Sequence, residues 1–198
     1  ILGVRAKDFL KWWTVKEMYN FLLPKLKEVQ GIDDKKWEAL LMEGKKAHTK
    51  KSKEALVSGS IAHDWIEEYI KAKIAGENTE EKQFPEDQKA ASSTHAFLDW
   101  EKSHEIEWLA SEVVLASVQS KFAGTVDAVA KIDGEIVVID FKTSNQISED
   151  VALQTAAYWI LLDENLLEGE DRPMKRIVVR IPKTGEGFEA VEIPTPIE

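Results

Sequence analysis

Apolar and polar residues alternate along 123–132 in the second half of the chain, and 135–141 is a second run rich in residues that favour β-strands. A period of two is typical of β-strands that bury one face. The dipeptide Asp133-Gly134 separates the two stretches and is favoured in two-residue type I′ turns. The pattern therefore predicts an antiparallel β-hairpin.

The predicted register places carboxylates side by side. A two-residue turn sets Asp127 opposite Asp140, with Cβ atoms roughly 4.5–5.5 Å apart, and Lys142 on the same face. The preceding stretch, 108–118, also reads as a strand, and a turn at Gln119-Ser120 would bring Glu112 opposite Asp127. Adjacent carboxylates repel each other, and a hard divalent cation such as Mg²⁺ would offset that repulsion. The alternative is an exposed face of solvated charges.

Apolar residues at three- and four-residue spacing predict helices in much of the remaining chain. These helices cover 8–27, with Pro24 bending or ending the first, a second helix from Asp33 or Asp34 through Met42, then 59–76, 87–104 and 149–164, while two further strands cover 175–181 and 187–193. The order of elements predicts an α/β fold in which helices flank a central mixed sheet, after an N-terminal helical portion.

Three polar residues on these helices are ordinary when taken alone. His63 lies off the apolar stripe of its helix, and a lone helical histidine is usually solvated or hydrogen-bonded. Gln154 and Tyr158 are one turn apart, so both can point along one helix face. Their meaning depends on whether the fold brings them to the carboxylates.

Composition excludes several classes of protein. The chain of 198 residues has no cysteine, which rules out disulfides, cysteine-ligated zinc and a cysteine-held iron–sulfur cluster. We find no apolar run of transmembrane length and no signal sequence, so we expect an intracellular protein that does not use a membrane. Its oligomeric state is left open.

The formal net charge of −10 argues against a surface that binds nucleic acid throughout. One stretch without acidic residues departs from this balance and carries Lys45, Lys46, Lys50, Lys51 and Lys53. This lysine run is the best local candidate for contacts with DNA phosphates. A solvated helix face or loop is an equally weighted alternative, because charge runs usually face solvent.

The order of these residues resembles that of the PD-(D/E)XK nuclease superfamily, and within it the RecB-type branch of single-domain phage and viral exonucleases. The resemblance is carried by His63, Glu112, the GTVD segment ending at Asp127, the IDFKT segment with Asp140 and Lys142, and the QTAAY segment with Gln154 and Tyr158. It implies a restriction-endonuclease-like core, and we expect a single nuclease domain over 1–198, made of a helical portion, 1–58, and a catalytic core, 59–198. Relatives with an iron–sulfur cluster carry four cysteines, so the chain is similar to the cluster-free members.

The resemblance also implies roles for the residues. The metal ligands would be His63, Asp127 and Asp140, with the Phe141 backbone carbonyl as a further ligand and Glu112 holding a second metal. Lys142 would be the catalytic lysine, acting together with these acids, and Gln154 and Tyr158 would belong to the helix beside the site. The expected cofactor is Mg²⁺ or Mn²⁺, and a histidine ligand favours Mn²⁺.

These observations predict a metal-dependent deoxyribonuclease, expected to be an exonuclease that acts on the ends of single- or double-stranded DNA. One alternative is an inactive member of the same fold that binds DNA ends or a protein partner. Such a copy usually loses an acid or the lysine, and all of them are present here. Another alternative is an acidic protein that mimics DNA, which would need acids spread along a surface.

Overall fold

The computed structural model describes residues 6–25, 31–148, 150–165, 173, 175–184 and 187–194. The chain divides into two compact units, 1–57 and 58–198. The division falls within a long helix, and each unit is described by itself. Whether the whole chain acts as one nuclease domain stays a prediction.

The first unit is helical, as the apolar spacing predicts. Helix α1 covers Ala6–Leu22 and continues into a 3₁₀ turn, Leu23–Lys25. The α-helix ends before Pro24 because proline disfavours helical geometry in the residue that precedes it. Positions 26 and 27 of the predicted helix lie outside the described residues.

Helix α2, Asp34–Ile74, is a single helix of 41 residues. The prediction of separate helices before and after the lysine run is therefore wrong. Lysine is a good helix former, the segment contains no proline, and an interior glycine costs only about 1 kcal/mol, so nothing in the sequence ends the helix. The predicted cap is confirmed, since Asp33 Oδ1 accepts a hydrogen bond from the Lys36 N–H at 2.9 Å.

The second unit is built on a five-stranded sheet. Its strands are β1 Ile106–Ser117, β2 Phe122–Ile132, β3 Glu135–Lys142, β4 Lys175–Arg180 and β5 Glu189–Ile193, and they are adjacent in that order. Strands β3 and β4 are parallel, and the other neighbours are antiparallel. Two more helices complete the unit, α3 Gln88–Lys102 and α4 Asp150–Asn165. Helix α4 lies between β3 and β4 along the chain, because parallel neighbours need a long crossover.

The predicted hairpin is confirmed. The β2–β3 ladder runs from Ala128 opposite Ile139 to Ile132 opposite Glu135. Asp133 and Gly134 have φ angles of 52° and 87°, the left-handed values that a type I′ turn requires.

The β1–β2 register is also confirmed, although its turn is not. Ser111 lies opposite Ala128 and Val113 opposite Val126, as predicted. The connection has four residues instead of two, because Val118 and Lys121 leave the strands as well. The predicted register survives since one residue is lost from each side.

Two apolar clusters pack on the sheet of this unit. One unites α2 and α3 with the sheet through aromatic and aliphatic side chains that include Trp65, Ile70, Phe97, Ile139 and Phe141. The other contains Val126, Val129 and Val138 with side chains of α4, among them Trp159 and Leu162. Helices thus flank the sheet, as predicted. Within the described ranges, none of the helices is long and apolar enough to cross a membrane.

Candidate metal centre

Glu112 and Asp127 fall at one position of the β1–β2 ladder that carries no regular pair, although the same register continues on both sides, and the register shift of this ladder lies between Trp108 and Ala110. The ladder pairs on either side of this position are Ser111–Ala128 and Val113–Val126. Glu112 has a φ of 51°, a conformation that non-glycine residues adopt rarely and that is concentrated at functional sites. The unusual backbone at Glu112 therefore coincides with the position where the two carboxylates of β1 and β2 meet.

The carboxylate of Asp127 replaces a missing ladder hydrogen bond between β2 and β3. The last regular pair is Ala128–Ile139, and beyond it the Phe141 N–H, two residues after Ile139, donates to Asp127 Oδ2 at 2.8 Å. This bond fixes the Asp127 side chain beside the strand that carries Asp140. The Phe141 backbone thus contacts the candidate site through its N–H group. The role of its carbonyl as a metal ligand stays a prediction.

Helix α2 brings a nitrogen ligand to the two acids. One ligand atom from each of His63, Glu112 and Asp127 lies within 4.8 Å of the others, a spacing at which they could hold one metal ion. His63 Nδ1 is 4.0 Å from Asp127 Oδ2. Glu112 and Asp127 follow His63 by 49 and 64 positions in the sequence, and the fold brings all three side chains together.

Asp140 lies beside this group and is fully buried. Its Oδ1 accepts a hydrogen bond from Lys142 Nζ at 2.7 Å. Its Oδ2 is buried and has no hydrogen-bond partner within the described part of the chain. A buried carboxylate oxygen without a partner is costly, and its presence indicates a ligand that the protein itself does not supply.

The carboxylates of the site resist ionisation. Burial and then the charge of Asp127 raise the pKa of Asp140 to about 6, although Lys142 opposes the rise. Burial followed by the Asp127 charge raises the pKa of Glu112 to about 7. Burial also raises the pKa of Asp127, against the opposing hydrogen bond from the Phe141 N–H.

The pKa of His63 is shifted in the opposite direction, downward. Burial lowers its pKa first, and the charge of Lys142 lowers it further. Raised carboxyl pKa values and a lowered histidine pKa both mean that these groups carry less charge than they would in water. Such perturbed groups cluster at functional sites.

The family model of the PD-(D/E)XK nuclease superfamily matches residues 35–196, well over half of the chain. The chain belongs to the PD-(D/E)XK nuclease superfamily. The match confirms the predicted family, and together with the mixed sheet it confirms the predicted fold class. A search of curated proteins found no match. The family assignment identifies the chain as a metal-dependent nuclease in general terms.

The residues of this nuclease fit the divalent metal that its family uses. His63, Glu112 and Asp127 already converge, and Asp140 on the neighbouring strand has a buried oxygen without a partner among the described residues. The donor set consists of carboxylate oxygens and one imidazole, which suits Mg²⁺ or Mn²⁺ and not a soft metal. A cation would also lower the raised carboxyl pKa values, since opposite charge favours the ionised form.

Gln154 and Tyr158 of the nuclease lie one turn apart on α4 and contact each other. Gln154 Nε2 donates to the Tyr158 hydroxyl at 2.7 Å. Burial raises the pKa of Tyr158, and the charges of Asp127 and Asp140 raise it further, so the phenol lies near the acids. The structure therefore places the pair beside the site, and its role stays a prediction.

The lysine run belongs to the other compact unit. All five of its lysines, Lys45, Lys46, Lys50, Lys51 and Lys53, are exposed on α2. Lys51 Nζ forms an ion pair with Glu17 Oε1 at 2.9 Å, so part of its charge is already neutralised. The role of these lysines in DNA binding stays a prediction.

Sequence reasoning missed one cation of the second unit, Lys183. It lies just beyond β4, and its charge contributes to the lowered pKa of His63. The available signal was a lysine directly after an apolar strand, in the segment RIPK. That signal becomes informative only when β4 is known to lie parallel to β3.

Proposed function

We propose that the chain is a Mg²⁺- or Mn²⁺-dependent deoxyribonuclease of the RecB-type branch that acts as an exonuclease. The observation that supports this function best is the convergence of His63, Glu112 and Asp127 next to a buried Asp140 with an unpartnered oxygen. The lysine that follows two positions later is retained, so the site has the groups that an inactive copy usually loses.

The four side chains would hold the cation, and the protein supplies the remaining parts of the site. When bound, the metal activates water as a nucleophile and stabilises the charge that develops on the phosphate. Lys142 donates to Asp140 and keeps that carboxylate ionised and oriented. The role we assign to its ammonium is to donate to a phosphate oxygen of the DNA.

We assign to Gln154 and Tyr158 the role of positioning the DNA backbone at the edge of the site. Their mutual hydrogen bond fixes the phenol ring, and a fixed hydroxyl can donate to the DNA backbone without losing side-chain entropy. Neither residue is needed to bind the cation in this proposal. Replacing Tyr158 with Phe should therefore weaken cleavage more than it weakens metal binding.

Cleavage assays on four DNA substrates test the function. Linear and circular forms of the same single- and double-stranded DNA would be incubated with the protein in Mg²⁺, in Mn²⁺ and in a chelator. An exonuclease degrades the linear forms and spares the closed circles. Equal cleavage of circles would show an endonuclease, and DNA binding without cleavage would show an inactive member of the fold.

The lysine run supplies contacts with the DNA backbone in this proposal, and its support is the exposure of all five ammonium groups. Each contact with a single-stranded phosphate contributes about 0.7 to the slope of log affinity against log salt. Replacing Lys50 and Lys53 with Gln should flatten that slope by about 1.4, whereas Lys51→Gln should do less because Glu17 already pairs with it. Lys35 and Lys36, which are exposed near the start of the same helix, provide the matched control. An unchanged slope would show that this run is only a solvated face.

A further inference from the structure

Lys183 lies just beyond the end of β4, the strand that pairs with the strand carrying Lys142. Strands β3 and β4 are parallel, and Arg180 is the ladder partner of Lys142. The Ile181 N–H then donates to the Lys142 carbonyl oxygen at 2.9 Å, so the two chains stay together past the end of the ladder. Parallel strands end at the same edge of a sheet, which is where open α/β folds bind their ligands. Residues 143 and 183 therefore emerge at the edge that carries the active site.

The Lys183 ammonium and the Thr143 hydroxyl converge on the backbone of Gly59 in α2. A Cβ atom at position 59 would lie 2.8 Å from Thr143 Oγ1 and 3.4 Å from Lys183 Nζ. Glycine is unfavourable in a helix interior, yet here it is the residue that leaves room for both groups. His63 is one helical turn further along the same helix, so the polar pair adjoins the metal centre.

Lys183 is a partly buried cation. Among the described residues its ammonium forms no direct hydrogen bond or ion pair, and the charge of Asp87 acts on it without a direct contact. The two oxygens of Asp87 bond to other groups, since Oδ1 accepts from the Ala90 N–H at 2.8 Å and Oδ2 accepts from Ser58 Oγ at 3.1 Å, but the carboxylate keeps its charge. Burial and then the charge of Lys89 lower the pKa of Lys183, and the charge of Asp87 opposes this shift. Lys89 therefore adds a second positive charge near Lys183.

A partly buried ammonium that forms no direct ion pair, next to a donor hydroxyl and a second lysine, favours an anion. We propose that Lys183, together with the Thr143 hydroxyl, binds a DNA phosphate next to the one that is cleaved. This inference rests on the proposed nuclease function and adds a substrate-binding residue to it. Lys142 acts at the scissile phosphate, while Lys183 holds the neighbouring part of the strand.

Three substitutions test the role of Lys183. In Lys183→Gln the charge is lost, in Lys183→Arg it is kept, and Lys102→Gln removes an exposed lysine at the far end of α3 as the matched control. DNA affinity would be measured by fluorescence anisotropy at several salt concentrations in an Asp140→Asn background, which removes cleavage. Steady-state cleavage in Mn²⁺ and calorimetric Mn²⁺ titration would be measured with Asp140 intact.

We expect Lys183→Gln to weaken DNA binding about tenfold, because a hydrogen bond to a charged group is lost. The salt slope should fall by about 0.7 for single strands and about 0.9 for duplex DNA. KM should rise while kcat at saturation and Mn²⁺ affinity stay unchanged, and Lys183→Arg should restore most of the affinity. A purely structural role would change the thermal midpoint and would not change the salt slope.

The outcomes separate the two levels of the proposal. If the unsubstituted chain cleaves DNA and Lys183→Gln behaves like Lys102→Gln in affinity and slope, the inference about Lys183 is overturned and the nuclease function stands. If Lys183→Gln abolishes Mn²⁺ binding, the residue acts on the metal centre and the inference is again wrong. If the unsubstituted chain neither binds nor cleaves DNA, the proposed function fails and the inference fails with it.

Discussion

The two ends of the β2–β3 hairpin follow different physical rules. At the turn end the ladder is regular, Ile132 is buried in the main apolar cluster, and Gly134 has the φ of 87° that the turn requires. At the other end the ladder stops, Asp127 accepts a hydrogen bond from the Phe141 backbone N–H, and Asp140 has a buried oxygen without a partner among the residues that the structure describes. The turn end stabilises the fold. The end with Asp127 and Asp140 has unfavourable carboxylate electrostatics that a bound cation can relieve.

The largest difference between the ends should appear in catalysis. Replacing Asp140 with Asn removes a ligand for the cation, and we expect cleavage to fall about a thousandfold or more. Asp133→Asn at the turn is the matched control and should keep activity within about twofold, because Asn also tolerates the left-handed conformation there. Cleavage rates in Mn²⁺ check both variants. Full activity in Asp140→Asn would contradict the assignment of the site.

For stability, we expect substitutions at the turn end of the hairpin to have larger destabilising effects than substitutions at the end with the metal site. Ile132 is only 6% exposed, so Ile132→Ala should lower the free energy of unfolding by about 2–4 kcal/mol. Mn²⁺ affinity should not change, because the substitution lies at the opposite end of the strand. Urea denaturation and calorimetric titration measure the two quantities, with Ile132→Val as the smaller step of about 1 kcal/mol. A loss of metal binding in Ile132→Ala would mean that the ends are not independent.

The pH dependence of the metal-free protein sharpens the contrast further. The pKa of Asp140 is raised to about 6 in the folded state, so its carboxyl group binds a proton more tightly in the folded protein than in the unfolded chain. Its unfavourable contribution is therefore absent near pH 4 and grows as the pH rises through about 6. In a chelator, Asp140→Asn should be as stable as the unsubstituted chain near pH 4 and about 1–3 kcal/mol more stable at pH 7.5.

Thermal or urea unfolding at the two pH values measures this difference. Saturating Mn²⁺ should remove the advantage of Asp140→Asn, since the cation stabilises the ionised carboxylate only in the unsubstituted chain. An advantage of equal size at both pH values would show that the substitution acts through packing and not through charge.

The smallest expected effect concerns the turn itself. Gly134→Ala places a Cβ at a φ of 87°, where no neighbouring atom lies within 4 Å, so only backbone strain opposes it. We expect a loss of about 1 kcal/mol in the free energy of unfolding, and about half of that for Gly134→Asn. Cleavage activity should be unchanged in both. Equal stability of the two variants would argue against a left-handed conformation at this position.

Local patterns were sufficient for the hairpin and for most helix boundaries. Alternation and the Asp-Gly dipeptide act over a few residues, so they predict the turn, the register and the face shared by Asp140 and Lys142 without tertiary information. The same local reasoning was wrong for α2, because a charged run of good helix formers resembles a loop in hydropathy although it favours a helix. The β1–β2 register was correct, but the length of its turn was not, since no glycine or asparagine marks it.

The sequence by itself determined which residues can bind a cation and the order in which they occur, because their chemistry and their positions on hairpin strands are local properties. Only the tertiary structure decided that His63 reaches Glu112 and Asp127, that Asp127 bonds to the Phe141 N–H, and that Asp140 Oδ2 has no partner. It also decided that Lys183 lies beside Thr143, through the parallel pairing of β3 with β4 across the α4 crossover. Such contacts join residues far apart in the chain, and they depend on how whole elements pack, which no short pattern encodes.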